Sequence, residues 1–183
     1  MKTKGLLLLG IIILTLGMTG CINYKSCHSV ELRTPMTEGM NFSLTSDNSI
    51  TVVGAEGYKD CYLRAFLSAT GSTWDEARHI IKKVKMELVR DGDNYTVVVT
   101  KPKNWNENKN RLSIRYAVIM PPRANIDILS THGDIEIINM GGAFRIIAPR
   151  GEAFCMGCGY GTMQDKNSSL SASGSSVSAA SGN

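Results

Sequence analysis

The last third of the chain repeats itself at a spacing of 18 residues, and a short constant period narrows the possible folds more than any other feature here. Thr131-His-Gly-Asp-Ile-Glu-Ile137 aligns with Pro149-Arg-Gly-Glu-Ala-Phe-Cys155, Ile126-Asp-Ile-Leu129 with Phe144-Arg-Ile-Ile147, and Gly141-Gly142 with Gly159-Tyr160. Two β runs per unit with Gly at fixed phase describe a β-solenoid, in which each turn buries its apolar residues only by stacking on the next. Gly133 and Gly151 fall at corners, where positive φ is easiest for glycine. A weaker third copy starts at Ser168, with Ser173 and Ser176 in its core slots. The stack is therefore expected to end on an unpaired strand edge, followed by a flexible Ser-rich tail over 167–183.

Ahead of this repeat (121–166), residues 41–120 read as a small β-rich domain with one helix. Phe42-Ser-Leu44 and Ile50-Thr-Val52 look like strands around the turn Ser46-Asp47-Asn48-Ser49. Cys61 to Ser68 carries apolar side chains on both sides, so this strand is expected to be covered on both faces. Thr73-Trp74-Asp75-Glu76 fits a capping box, and Ala77, Ile80, Ile81 and Val84 follow at helical spacing. Asp91-Gly92 marks a hairpin between Met86–Arg90 and Tyr95–Thr100, and a polar Asn-rich loop is expected around Trp105. The fold class expected is mainly β: a β-rich domain with one helix, then a short solenoid. With 43% hydrophobic residues the chain can bury a core.

The first 21 residues carry an address. Lys2 and Lys4 begin a basic start, Gly5 to Gly17 form an uncharged, mostly apolar run, and Met18-Thr-Gly-Cys21 follows. This is the layout of a secretory signal over 1–20. The apolar run is too short to span a bilayer, since about 13 residues rise only about 20 Å against a core of about 30 Å. A cysteine directly after small residues resembles the bacterial lipoprotein signal, with Met18 where Leu is usual. The resemblance implies that Cys21 is lipidated, carrying acyl groups such as palmitate, and becomes the mature N-terminus. An ordinary cleaved signal with Cys21 nearby is the alternative. A doubly or triply acylated cysteine holds a membrane firmly, where one chain binds only marginally. Residues 21–40 read as a tether. Ile22, rather than Asp, after Cys21 leans towards the outer membrane or cell surface.

Lys2 and Lys4 supply two of the net +4 charges, and the remainder is too small to point to nucleic acid. Beyond Cys21, the cysteines are Cys27, Cys61, Cys155 and Cys158. In an exported chain disulfides persist, and four cysteines allow three pairings. Cys155-Met-Gly-Cys158 invites a redox or metal reading. One repeat earlier the same slots hold Ile137 and Met140, so core filling or a local disulfide is the expectation. A bridge between Cys27 and Cys61 is the companion expectation.

The stretch Pro121-Pro-Arg-Ala-Asn-Ile-Asp-Ile-Leu-Ser-Thr-His-Gly-Asp-Ile-Glu-Ile137 is similar to the recurring unit of the bacterial DUF4097 family, adhesin-like β-strand repeat proteins. The resemblance covers roughly residues 41–165. It departs at Pro149-Arg150, where Ser/Thr-Asn is usual, and in ending after about two turns. It implies an architecture and an adhesin-like role rather than a chemistry.

Nothing in the sequence supplies a catalytic constellation. His28, His79 and His132 are scattered, and neither Gly-x-Ser-x-Gly nor His-Glu-x-x-His occurs. Asp134, Glu136 and Glu152 could line one solenoid face as a polysaccharide site, although outward acids on strands are usually solvated. The sequence thus predicts a non-enzymatic, lipid-anchored envelope protein without cofactor or metal, acting as adhesin or scaffold. The alternatives are a polysaccharide-binding or carbohydrate-active solenoid, and an envelope sensor that meets a partner protein.

Overall fold

A computed structural model describes residues 23–101 and 111–166, and the backbone of residues 169–173 and 176–180. The signal, Cys21 and the loop around Trp105 lie outside the described residues. In chain order the elements are β1 (Tyr24–Pro35), β2 (Asn41–Ser46), β3 (Ile50–Gly54), β4 (Asp60–Gly71), α1 (Trp74–Lys82), β5 (Lys85–Asp91), β6 (Asn94–Thr100) and β7 (Arg111–Met120). Then come β8 (Asn125–Ser130), β9 (Ile135–Ile138), β10 (Phe144–Ala148), β11 (Ala153–Met156), β12 (Gly161–Asp165), β13 (Ser169–Ser173) and β14 (Ser176–Ala180). The protein is mainly β, with two mixed sheets ordered β1-β4-β7-β3-β9-β11 and β14-β13-β12-β10-β8-β2-β6-β5.

The 18-residue alignment is the pairing register. Ile126 lies opposite Phe144 in one sheet and Ile135 opposite Ala153 in the other, both in parallel ladders. Each unit places one strand in each sheet, so consecutive strands such as β8 and β9 face one another across the core instead of pairing. Strands β2 and β3 behave the same way. They join β8 and β9 in parallel, Asn41 opposite Asn125 and Ile50 opposite Ile135. Strands β6 and β7 then flank β2 and β3, again in parallel. Residues before and after position 120 therefore alternate within the same sheets and share one core, where the sequence suggested a β domain followed by a separate repeat. Inward columns run along the stack: Leu44, Ile128, Ile146 and Met163 in one sheet, and Val118, Val52 and Ile137 in the other, all buried.

Side-chain hydrogen bonds tie the turns together at the strand starts. Asn41 Nδ2 donates to Asn94 Oδ1 (2.8 Å), Asn125 Nδ2 to Asn41 Oδ1 (3.0 Å), and the Ala143 N–H to Asn125 Oδ1 (3.0 Å). This asparagine ladder links β6, β2, β8 and the residue before β10. Asn125→Ala leaves the half-buried Ala143 N–H and one Asn41 oxygen without their partner. Loss of about 2 kcal/mol of unfolding free energy is expected, read by urea denaturation.

At the opposite corner the glycines work differently from expectation. Gly133 and Gly151 do not have positive φ; that conformation belongs to Gly39, Gly57, Gly92, Gly157 and Asn139. Instead, backbones approach too closely for a side chain. A Cβ on Gly133 would lie 2.1 Å from the Asn48 carbonyl carbon, and one on Gly151 would lie 2.1 Å from the Gly133 oxygen.

Around the stack, β4 pairs antiparallel with β7, and β1 pairs with β4 along its whole length. Residues 24–35, expected as part of a tether, are thus a twelve-residue edge strand. Strand β4 buries Cys61, Leu63, Ala65, Leu67 and Ala69 but leaves Arg64 and Phe66 exposed, so only one face is covered, not both. Helix α1 begins as the sequence predicts, with the Glu76 N–H donating to Thr73 Oγ1 (3.1 Å). The Glu76 carboxylate reaches one residue further back than a standard capping box, accepting from both the hydroxyl and the N–H (2.7 Å) of Ser72, and the hydroxyl first, then the N–H, holds its pKa below the usual range. Ala77, Ile80 and Ile81 face the core. The Asp91-Gly92 hairpin forms with Asp91 opposite Asn94 and Gly92 at φ 58.

Beyond β11 the expected third copy does not form. Strand β12 pairs in parallel with β10, Phe144 opposite Gly161, one residue short of the period. Strand β13 then pairs antiparallel with β12, and β14 with β13. Only residues 166–168 separate β12 from β13, far fewer than the dozen or so that a parallel crossover requires. Ser173 and Ser176 pair with each other in the antiparallel β13–β14 ladder, and the segment expected as a flexible tail contains these two strands.

Candidate functional site

The three acids singled out by sequence stand on neighbouring turns but do not form a paired-carboxylate cleft. Asp134 Oδ1 accepts the Glu152 N–H at 2.8 Å, so it caps the backbone of the next turn. The Glu152 carboxylate pairs with Lys166 Nζ at 2.9 Å, a contact that raises the lysine pKa. Glu136 lies outward on β9 and accepts weakly from Thr51 Oγ1 at 3.5 Å. All three are exposed. The histidines are equally dispersed. His28 is on β1, His79 on α1, and His132 at a corner with its Nε2 2.6 Å from Arg150 Nη1. Among the described residues no group of three His, Cys, Asp or Glu is placed to hold a metal ion.

The cysteines divide into three environments. Cys155 and Cys158 form a disulfide with Cα atoms 6.0 Å apart, both half-buried against the end of the core. Their predecessors one turn back, Ile137 and Met140, are fully buried. The disulfide therefore closes the stack where the apolar column runs out. Cys27 and Cys61 are not bridged. Cys27 lies opposite Ser68 and Cys61 opposite Thr34, which separates them by about 23 Å along the strand pair. A disulfide needs Cα atoms within about 7 Å. Cys27 is exposed, whereas Cys61 is fully buried and burial pushes its thiol pKa up to about 12. In a chain whose Cys21 is acylated, a thiol reagent at neutral pH should modify Cys27 within minutes and Cys61 only after denaturation. Two rapidly reacting thiols would contradict this assignment.

The end of the first sheet is the exposed apolar region. Strand β11 is its last member, and no other described strand takes its second edge. Phe154, Met156 and Tyr160 there are 55%, 52% and 66% exposed. The repeat predicts the open edge but does not single out these side chains. Their direction was legible in the repeat, since Phe154 occupies the outward slot of Glu136 and Tyr160 that of Gly142. The edge at the other end of the same sheet is β1.

No protein-family model matches the chain, and no curated protein matches it. Among solved structures it is similar to a putative cell adhesion protein from Clostridium sporogenes, with 10% identity, a TM-score of 0.37, and coverage of 70% of this chain and 59% of that one. It is also similar to a putative lipid binding protein from Parabacteroides distasonis, with 10% identity, a TM-score of 0.35, and coverage of 75% and 58%. A putative adhesin from Bacteroides fragilis matches with 10% identity and a TM-score of 0.31 over 74% of this chain and 78% of that one. The chain spans less than two thirds of the first two proteins, and all three likenesses fall below the level that establishes a shared fold.

Proposed function

We propose that this chain is a non-enzymatic, lipid-anchored protein of the bacterial envelope, a DUF4097-like adhesin or surface scaffold that presents a short β-solenoid. The observation that carries the reading is the placement of the two sheet edges. Cys21 precedes β1 by three positions, and β1 and β11 are opposite edges of one six-stranded sheet. Five strand spacings, about 24 Å, separate the anchored edge from the edge that exposes Phe154 and Met156. Parallel stacking in an 18-residue register supports the solenoid assignment. The absence of a nucleophile, base and oxyanion grouping in the sequence motifs supports a binding role.

Fractionation tests the anchored half: wild-type chain should pellet with envelope membranes and partition into detergent, while Cys21→Ala should not. Equal behaviour of the two proteins would remove the anchor. The presenting half is tested by Phe154→Ser with Tyr160→Ser, expected to abolish capture of envelope or surface partners without loss of thermal stability. The acidic face is the weaker ligand site, because Glu152 is paired with Lys166 and Asp134 is occupied by backbone. Glycan binding abolished by alanine at Asp134, Glu136 and Glu152 would reverse that ranking.

A further inference from the structure

We propose that the start of β1 and one stripe of α1 form a single surface that docks onto a bilayer containing anionic phospholipids. The inference rests on the lipid-anchor reading and names the face that the anchor holds against the membrane.

Trp74, Arg78 and Lys82 recur four residues apart, so they share one face of α1, and all three are exposed. That stripe runs beside the first residues of β1. The Tyr24 ring lies 6.0 Å from the Trp74 ring, and Trp74 is 54% exposed. Further along, Ser26 and His28 from β1 and Arg78 and Lys82 from α1 rim a groove of about 400 Å³. Its floor is the apolar pair Leu67 and Ile81. Tyr and Trp side chains settle at the headgroup level of bilayers, where an apolar body and a polar tip are both satisfied. Cations beside them are drawn to anionic headgroups while their aliphatic stems lie along the apolar boundary.

Charge and tether length favour the same partner. Lys25, Arg78, Lys82, Lys83 and Lys85 are exposed, and none has an ion-pair partner among the described residues. The acids on α1 itself are Asp75 and Glu76 in its first turn, and Glu76 is engaged by Ser72. Three positions separate Cys21 from Tyr24, a reach of about 10 Å. Acyl chains on Cys21 would thus enter the bilayer immediately beside this surface, which converts a weak surface attraction into an intramolecular one.

The test uses the full lipidated chain carrying Trp105→Phe, which leaves Trp74 as the only tryptophan. The protein is reconstituted into phosphatidylcholine vesicles with or without phosphatidylglycerol, together with lipids brominated near the headgroup. Strong quenching of Trp74 is expected with phosphatidylglycerol and little without it. Raising salt to about 1 M should weaken quenching, because the Debye length falls to about 3 Å. Reversing charge at Arg78, Lys82 and Lys83 to Glu should lower the docked-to-undocked ratio about tenfold or more while the protein still floats with the vesicles. Flotation without quenching in either composition, or equal quenching in both, overturns the docking surface and leaves the anchor intact. Failure to float at all overturns the anchor, and the docking surface falls with it.

Discussion

Gly133→Ala is expected to destabilise the protein by about 3 kcal/mol or more, lowering the thermal midpoint by about 10 °C. The new Cβ would stand 2.1 Å from both the Asn48 carbonyl carbon and the Ser49 nitrogen. These are backbone atoms of the neighbouring turn, and moving them strains the β2–β8 and β3–β9 ladders at once. Gly151→Ala should behave alike, since its Cβ would meet the Gly133 oxygen at 2.1 Å. Two other glycines separate contact from conformation. Gly57 has φ +75 with open space around it, so its alanine variant should cost only about 1 kcal/mol. Gly141 has only the Pro122 oxygen at 3.8 Å, and Gly141→Ala should change stability by less than about 0.5 kcal/mol. Calorimetry that ranks Gly57→Ala above Gly133→Ala would overturn the close-packed corner.

Ile128→Ala is expected to cost about 3 kcal/mol. Ile128 is fully buried, with Leu44 and Ile146 directly beside it in the same inward column. Removing its branched end opens a void that neither neighbour can fill, because each is held in register by its own ladder. Met163, at the far end of the column, is 5% exposed and has a flexible side chain. Met163→Ala should cost about half as much, since a terminal site can close or admit water. Equal losses in urea denaturation would mean that the stack does not transmit its packing from turn to turn.

The legible features were local or strictly periodic. The helix start at Thr73, the Asp91-Gly92 turn and the 18-residue register each depend on residues close together in sequence. The intercalation of β2 and β3 depends on residues far apart. Its offset from β8 and β9 is 84 residues at Asn41–Asn125 and 85 at Thr51–Glu136, because the β2–β3 corner is one residue shorter. A search at constant period cannot follow that change. Strand β1 carries no clear apolar alternation because it is a polar edge strand, with Lys25, Glu31 and Arg33 exposed and only Val30 and Leu32 packed against the core. The Cys155–Cys158 pair was readable as two core slots in the repeat, whereas the separation of Cys27 from Cys61 followed only from the β1–β4 register.

The corner glycines, the asparagine ladder and the disulfide all serve a rigid stack whose two edges face opposite ways. On the function we propose, the β1 edge is the tethered one. Mass spectrometry of the mature N-terminal peptide tests this claim most directly. The account predicts that the chain begins at Cys21 and that this peptide carries two or three acyl chains, with palmitate among them. A mature chain that retains residues 1–20, or that begins at an unmodified cysteine, would contradict it.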